Sequence, residues 1–84
     1  MNFHAILWDP EEDPEGNVQH VEAHGISVED VEWVLGAPAS EGTSRSSGLP
    51  AAWGYTPAGE YIIVVYEQID ADTIRVVTAY EVPE

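Results

Sequence analysis

Apolar residues recur at helical spacing in the first half of the chain and alternate with a period of two in the second half. In the first half, Gly25 can end one helix, and Ser27 can cap the next helix two residues later. Ser27 and Asp30 form a capping-box pattern, which predicts a second helix from Val28 to about Leu35. Its buried stripe is predicted to comprise Val28, Val31, Val34 and Leu35.

The residues before this helix predict a strand and a first helix. Phe3 to Trp8 is largely apolar on both faces, which is typical of a sheet strand. An acidic stretch with two prolines follows and indicates a turn. We expect Asp13 to cap the first helix and Pro14 to be its first residue, so that this helix runs from Pro14 to His24.

The second half of the chain predicts sheet. Ala37 to Leu49 is rich in Gly, Ser, Ala and Pro and is typical of a loop, with Glu41 to Ser46 as an alternative edge strand. Thr56 to Gly59 has Pro and Gly at positions that suit a hairpin turn. The strands are predicted at Ala52 to Thr56, Glu60 to Glu67 and Thr73 to Tyr80. Glu60 to Glu67, apolar on both sides, is expected to be central.

Regular alternation along the last strand predicts that its two faces differ. Ile74, Val76, Thr78 and Tyr80 would share one face, and Arg75 would lie on the other. The element order β-α-α-β-β-β predicts an α+β fold in which two helices cover one face of a mostly antiparallel sheet. Residues 1–84 are expected to form a single domain.

Charge is the unusual feature of the composition. Sixteen acidic residues stand against two arginines and no lysine, which gives a formal net charge of -14. Such a surface repels polyanions, so binding to generic nucleic acid or to anionic membranes is disfavoured. A solvated acidic surface, a specific basic partner or mimicry of nucleic acid would each explain this charge.

The composition also limits the kinds of site that the chain can form and the cellular compartment in which we expect it. The absence of cysteine excludes disulfides and thiolate metal sites. The longest apolar run, Tyr61 to Tyr66, is too short to span a bilayer. The first residues lack the basic and apolar regions of a secretion signal, so we expect a cytoplasmic protein.

Two histidines and one arginine are the candidates for chemistry. His20 and His24 would share a face of the first helix, a spacing that can bind a metal, contribute to a polar site, or merely cap and pack. No third metal ligand accompanies them, so we expect no metal, and no nucleotide fingerprint predicts a cofactor. Arg45, in a polar loop, can hold an anion or balance the acidic surface, whereas Arg75 is expected to pair with a carboxylate.

Several short motifs together resemble a known family. They are Trp8-Asp9, the helix end His24-Gly25-Ile26-Ser27 followed by Glu29, an arginine in a loop, Gly59 in a turn, and Arg75-Val76-Val77-Thr78-Ala79. In this order they resemble the BrnT family of small toxins over nearly the whole chain. The resemblance implies a RelE-like fold, RNA cleavage, and neutralisation by a DNA-binding antitoxin encoded beside the toxin.

The chain departs from that family at positions that matter for RNA. The family's helix motif reads roughly Asn-x-x-Lys-His-Gly-Ile, and its last strand ends Ser-Ala-Arg. Here His20 stands at the asparagine position, Ala23 at the lysine position and Tyr80 at the final arginine position, while His24, Arg45 and Arg75 are retained. Two cations that would stabilise a phosphorane are therefore missing.

The resemblance implies catalytic roles for the remaining polar residues. His24 or His20 would act as acid or base, Tyr80 as a weak proton donor and Arg45 as the phosphate contact. With the cations missing and the net charge at -14, we expect RNA cleavage to be weak or lost. The alternative is a noncatalytic protein-binding module. The partner would be a cognate antitoxin-like protein, another basic protein or a second copy of the chain.

Overall fold

The computed structural model describes residues 3–84 and has two α-helices beside one five-stranded mixed sheet. In chain order the elements are β1 (Ala5–Leu7), α1 (Asn17–Ala23), α2 (Val28–Gly36), β2 (Ser40–Thr43), β3 (Pro50–Tyr55), β4 (Tyr61–Gln68) and β5 (Thr73–Glu81). Neither helix is long and apolar enough to cross a membrane.

The strands are arranged in the order β1-β5-β4-β3-β2, so β4 is central, as predicted. Three neighbouring pairs are antiparallel, and β1 runs parallel to β5. The predicted α+β class is therefore confirmed. The predicted order β-α-α-β-β-β lacks one strand, because four strands follow the helices. The added strand, β2, lies in the segment where we predicted a loop or an edge strand, and all four of its residues are exposed.

The sheet has one face covered by helices, the inner face, and one face without them, the outer face. Both helices pack on the inner face, where residues from α1, α2 and the three central strands form the larger core. That core comprises Val21, Ile26, Val31, Val34, Leu35, Ala52, Ile62, Val64, Tyr66, Ile74, Val76 and Ala79. Burial there raises the pKa of Tyr66, because the charged phenolate is poorly solvated. On the outer face, Ala51, Ile63 and Val65 form a smaller cluster.

Helix α2 begins as predicted, with both hydrogen bonds of a capping box. The Asp30 amide donates to Ser27 Oγ at 3.0 Å, and the Ser27 amide donates to Asp30 Oδ2 at 3.2 Å. Val31, Val34 and Leu35 are buried. Val28 is only half-buried, contrary to prediction, because it lines a surface cavity between the helices and the end of β1.

Helix α1 is shorter than predicted at its start. It begins at Asn17, and the predicted cap, Asp13, instead accepts a hydrogen bond from the Glu15 amide in the preceding turn. The Asn17 amide is bound by Asp9 Oδ2 at 2.9 Å. Gly16 allows this approach, because a Cβ at that position would lie 2.7 Å from the Asp9 Cβ. A carboxylate distant in sequence therefore replaces the local cap.

The end of α1 follows the sequence prediction. The helix ends at Ala23, and Gly25 has a φ of +81°, the left-handed conformation that glycine adopts without strain. The Gly25 amide donates to the Glu22 carbonyl, and the Ile26 amide donates to the Val21 carbonyl. These two bonds form a Schellman motif, which turns the chain directly into α2.

A bulge in β5 overturns the predicted faces of the last strand. The pairing with β4 shifts at Val65 and Tyr66, so that Val77 is an extra residue in β5. Ile74 and Val76 belong to the inner core as predicted, whereas Tyr80 packs on the outer face. The prediction that Thr78 and Tyr80 share a face with Ile74 and Val76 is therefore wrong, because they pair with Val65 and Ile63 of the outer face. By the same register, Arg75 and Tyr80 lie on one face rather than on opposite faces. The first strand is also shorter than the predicted span from Phe3 to Trp8.

Candidate functional site

Helix α1 lies along the part of the β5 edge that β1 leaves free. Strand β1 pairs with residues 73–75 of β5 and goes no further. Beyond that point, Asn17 and His20 of α1 and His24, which caps its end, lie at helical spacing and reach the edge of β5. Asn17 Nδ2 donates to the Val76 carbonyl at 2.9 Å, and His20 Nε2 lies 2.9 Å from Thr78 Oγ1 in a hydrogen bond. The His24 ring lies beside the Tyr80 ring, with centroids 5.9 Å apart.

The two histidines form an exposed pair. Their ring centroids are 5.2 Å apart with an interplanar angle of 66°, an edge-on arrangement. Both residues are open to solvent, so either ring can exchange a proton with water or with a bound substrate. Among residues 3–84, no group of three or more His, Asp or Glu side chains is placed to hold a metal ion.

A cavity of about 520 Å³ opens on the other side of Tyr80. It is lined by Thr43, Ser44, Arg45, Ser46, Trp53, Ile63 and Tyr80. Ser44 is buried, and its hydroxyl lies 3.3 Å from that of Ser46. Guanidinium and hydroxyl groups in one cavity can together bind an oxyanion, while the Trp53 ring offers an apolar surface beside them.

Of the four residues predicted for the site, Tyr80 lies near the other three, which come from two separate segments. Tyr80 contacts His24 on one side and lines the Arg45 cavity on the other. His20 reaches the same strand through Thr78. Neither histidine lines the cavity that contains Arg45, which belongs to the turn between β2 and β3 on the far side of the sheet. The four side chains therefore do not share one enclosed cleft.

Sequence reasoning missed a hydrogen-bonded network beneath this edge. Asn17 is buried, and its side chain accepts a hydrogen bond from the Asp9 amide and donates to the Leu7 and Val76 carbonyls. Asp9 Oδ2 accepts from Arg75 Nη2 at 2.7 Å. An asparagine in the first turn of a helix capped by glycine is the sequence signal that could have revealed this network.

Arg75 is paired, as predicted, and so is unavailable to a substrate phosphate. Its guanidinium lies 2.7 Å from Asp9 and 4.0 Å from Glu67. Within residues 3–84, Arg45 makes no such ion pair. Of the two arginines, Arg45 is therefore the one that can meet an anion.

A second cavity, of about 340 Å³, lies between the end of β1 and the two helices. Trp8, Val18 and Val28 contribute its apolar lining, and four carboxylates complete it: Asp9, Glu11, Glu22 and Glu29. Trp8 Nε1 also donates to Glu32 at 3.1 Å. This surface repels phosphate, so it disfavours the approach of an RNA chain from that side.

Comparisons with known proteins give no assignment for this chain. No protein-family model matches it, and neither does any curated protein or solved structure. The resemblance to the BrnT family therefore rests on the residues quoted above.

Proposed function

We propose that this chain is a divergent BrnT-like protein with a RelE-like fold, in which RNA cleavage is weak or lost. One observation carries this proposal: the His24 ring lies beside Tyr80, and Arg45, distant in sequence, lines the cavity that Tyr80 also lines. The resemblance implies that His24 is the acid or base and that Arg45 contacts the phosphate. Tyr80 stands at the position where the family has arginine. Their convergence supports a common origin for the site.

The chemistry available there is transfer of protons around a phosphodiester. In such a cleavage the 2′-hydroxyl loses a proton, its oxygen attacks phosphorus, and the bond to the 5′-oxygen breaks as that oxygen takes up a proton. His24, with His20 beside it, can accept or supply these protons, and Tyr80 is a further donor. Arg45 would hold the phosphate oxygens.

The same site explains why cleavage should be weak. Arg75 is held by Asp9 and Glu67, Ala23 carries no charge, and Tyr80 stands where the family has arginine. A single cation then has to bind the substrate and stabilise the transition state on a chain of net charge -14. Each lost phosphate contact lowers RNA affinity, and the loss is largest at low salt, where release of counterions contributes most.

Expression in a standard bacterial host without an antitoxin tests the proposal together with an RNA cleavage assay. We expect normal growth and weak or no cleavage of generic RNA by the purified protein. Any residual cleavage should disappear in His24→Ala and in Arg45→Ala. It should persist in His4→Ala, a matched control whose exposed side chain lies near Asp72, away from the site.

A gain-of-function variant tests whether the missing cations are the reason for weak RNA cleavage. Ala23 is exposed and adjacent to His24, so Ala23→Lys restores one family cation without disturbing the core. We expect the Ala23→Lys variant to cleave RNA faster than the unmodified chain. Strong growth arrest by the unmodified chain would contradict the proposal if His24→Ala or Arg45→Ala abolished it. Arrest that persisted in both variants would remove the assigned site.

The second candidate function is a noncatalytic protein-binding module, partnered by an antitoxin-like or other basic protein or by a second copy. The observation that favours it is the outer face of the sheet, which no helix of residues 3–84 covers. Normal growth with no detectable cleavage in any variant, including Ala23→Lys, would favour this second function.

A further inference from the structure

The 520 Å³ cavity differs in charge from the rest of this acidic chain. Its lining residues include Arg45 and no carboxylate. The chain has sixteen acidic residues, but none occurs between Glu41 and Glu60, the stretch that supplies β3 and the turn before it. Arg45 is exposed and makes no ion pair within residues 3–84. An anion in this cavity therefore meets an unpaired guanidinium with no carboxylate competing for it.

Hydroxyl groups lie beside this guanidinium. Thr43, Ser44 and Ser46 line the same cavity, and the Ser44 amide donates to the Leu49 carbonyl at 2.8 Å, which closes the turn. Ser44 is only 4% exposed, and its hydroxyl lies 3.3 Å from that of Ser46. Hydroxyl pairs are usually about 2.7–2.8 Å apart, so this hydrogen bond is weak. The buried Ser44 hydroxyl can therefore donate a better hydrogen bond to an oxyanion in the cavity.

A row of three side chains across the sheet forms the apolar floor of the cavity. Trp53 pairs with Ile63, and Ile63 pairs with Tyr80, so the backbones of Trp53 and Tyr80 are two strands, or about 10 Å, apart. The Trp53 indole extends over Gly42, where a Cβ would lie 3.4 Å from the ring. The Tyr80 ring lies beside His24, beyond the edge of β5. The two rings therefore flank Ile63 and leave a hollow above it.

This hollow suits a flat ring system. Carbon atoms pack at about 3.5 Å, so a ring in contact with both aromatic side chains needs about 7 Å between them, less than the separation of their backbones. Aromatic ligands stack on indole and phenol rings. The cavity volume of about 520 Å³ also lies within the range of about 300–1,000 Å³ that is usual for small-molecule sites. The cavity therefore has a place for a flat ring next to a place for an oxyanion.

The charges favour a carboxylate over a phosphate as that oxyanion. A carboxylate carries one negative charge and can accept two parallel hydrogen bonds from a single guanidinium. A phosphate monoester carries about -1.5 to -2 at neutral pH, and Arg45 is the one cation among the lining residues. Repulsion by a chain of net charge -14 also grows with the charge of the ligand.

We propose that this cavity binds a small aromatic carboxylate. The carboxylate accepts hydrogen bonds from the Arg45 guanidinium and the Ser44 hydroxyl. The aromatic ring lies over Ile63, between Trp53 and Tyr80. Burial of the ring supplies the affinity, and the guanidinium selects the anion. The site does not use the histidine pair, so it holds whether or not the chain cleaves RNA.

Naphthoate is the probe for this proposal. Calorimetric titration gives its affinity, and indole chemical shifts report contact with Trp53. Three control compounds separate the causes of binding: naphthamide has the ring without the charge, acetate has the charge without the ring, and naphthyl phosphate has the ring with a larger charge. We expect naphthoate to bind at least tenfold more tightly than naphthamide or acetate, more tightly than naphthyl phosphate, and to shift the Trp53 indole signal.

Two variants with the same change in net charge test the role of the guanidinium. Arg45→Gln and Gln19→Glu each lower the net charge by one, and Gln19 lies on α1, in the helix layer on the inner face. We expect Arg45→Gln to weaken naphthoate binding about tenfold and Gln19→Glu to change it less than twofold. Circular dichroism of both variants confirms that they fold.

A second pair of variants tests the aromatic floor. Trp53→Leu and Trp33→Leu make the same replacement, but Trp33 is 61% exposed on α2, away from the cavity. We expect Trp53→Leu to weaken naphthoate binding about tenfold and Trp33→Leu to change it less than twofold.

Several results would overturn the proposal. The absence of naphthoate binding would do so directly, and equal weakening by Arg45→Gln and Gln19→Glu would mean that the ligand senses net charge alone. Equal binding of naphthamide would remove the argument from charge, and equal binding of acetate would remove the argument from the ring. Tighter binding of naphthyl phosphate would assign the cavity to a phosphate instead. RNA cleavage enters none of these measurements, so failure of the proposed function is distinguishable from failure of this site.

Discussion

Replacing Asn17 by alanine should destabilise the fold far more than its place in a seven-residue helix suggests. The Asn17 side chain makes three hydrogen bonds, which join α1 to β1, to β5 and to the turn after β1. Alanine removes all three. The Val76 carbonyl that then loses its partner is buried, and water does not readily replace the lost donor.

The size of the effect follows from these bonds. Each hydrogen bond contributes about 1 kcal/mol net, and a buried carbonyl left without a partner costs about 1–3 kcal/mol. Alanine is the better helix former by about 0.5 kcal/mol, which offsets a small part of the loss. We expect a decrease of about 3 kcal/mol in the free energy of unfolding, a large fraction of the stability of a small domain.

Urea denaturation at fixed ionic strength, followed by tryptophan fluorescence, measures the decrease. Gln19→Ala is the matched control on the same helix, because it removes one exposed hydrogen bond to the Glu11 carbonyl. We expect the control to lose less than about 1 kcal/mol. Asn17→Asp keeps the shape of the side chain but cannot donate to either carbonyl when ionised, so it should be at least as unstable as Asn17→Ala at neutral pH. A loss below about 1 kcal/mol in Asn17→Ala would refute the reasoning, as would an Asp variant close to wild type.

The remaining predictions concern capping, core packing and charge. Ser27→Ala removes the hydroxyl that accepts from the Asp30 amide and should lower the free energy of unfolding by about 1 kcal/mol. Val64→Ala opens a void in a fully buried position of β4 and should cost about 2 kcal/mol or more. Urea denaturation measures both, and unchanged stability in the two variants would contradict the capping and core assignments. Moderate salt should raise the melting temperature, because ions screen the repulsion within a chain of net charge -14. A flat or falling melting temperature across that salt range would indicate carboxylates already paired or bound to ions.

Sequence patterns predicted those parts of the fold that are determined by residues close together in the chain. The capping box of α2 and the glycine that ends α1 each depend on residues within one turn, so sequence spacing was enough to place them. The continuous apolar run of β4 identified the central strand, because both faces of that strand are buried. The start of α1 was predicted wrongly, since the Asp9 carboxylate binds the first amide of the helix from outside the local sequence.

The candidate site shows the same division between local and long-range causes. Helical spacing placed His20 and His24 on one face, and they are neighbours in the structure. The face on which Tyr80 lies could not be derived from the sequence, because regular alternation assumes that the strand has no bulge. Nor does the sequence show where a bulge would fall, since Val76, Val77 and Thr78 are all β-forming residues. Register with β4 selects Val77 and turns Tyr80 toward the outer face.

The parallel pairing of β1 with β5 has a consequence for folding during synthesis. Residues near the two ends of the described chain become neighbours in the sheet, so β1 has no strand to pair with until Thr73–Arg75 have been made. Closing so long a loop is slow. Because the chain is synthesised from its N-terminus, β1 stays unpaired until the start of β5 has left the ribosome. The helices can form early, but the ordered edge along which α1 lies is completed last. Loss of residues from Thr73 onward would therefore release both β1 and α1, although neither lies near the break in sequence.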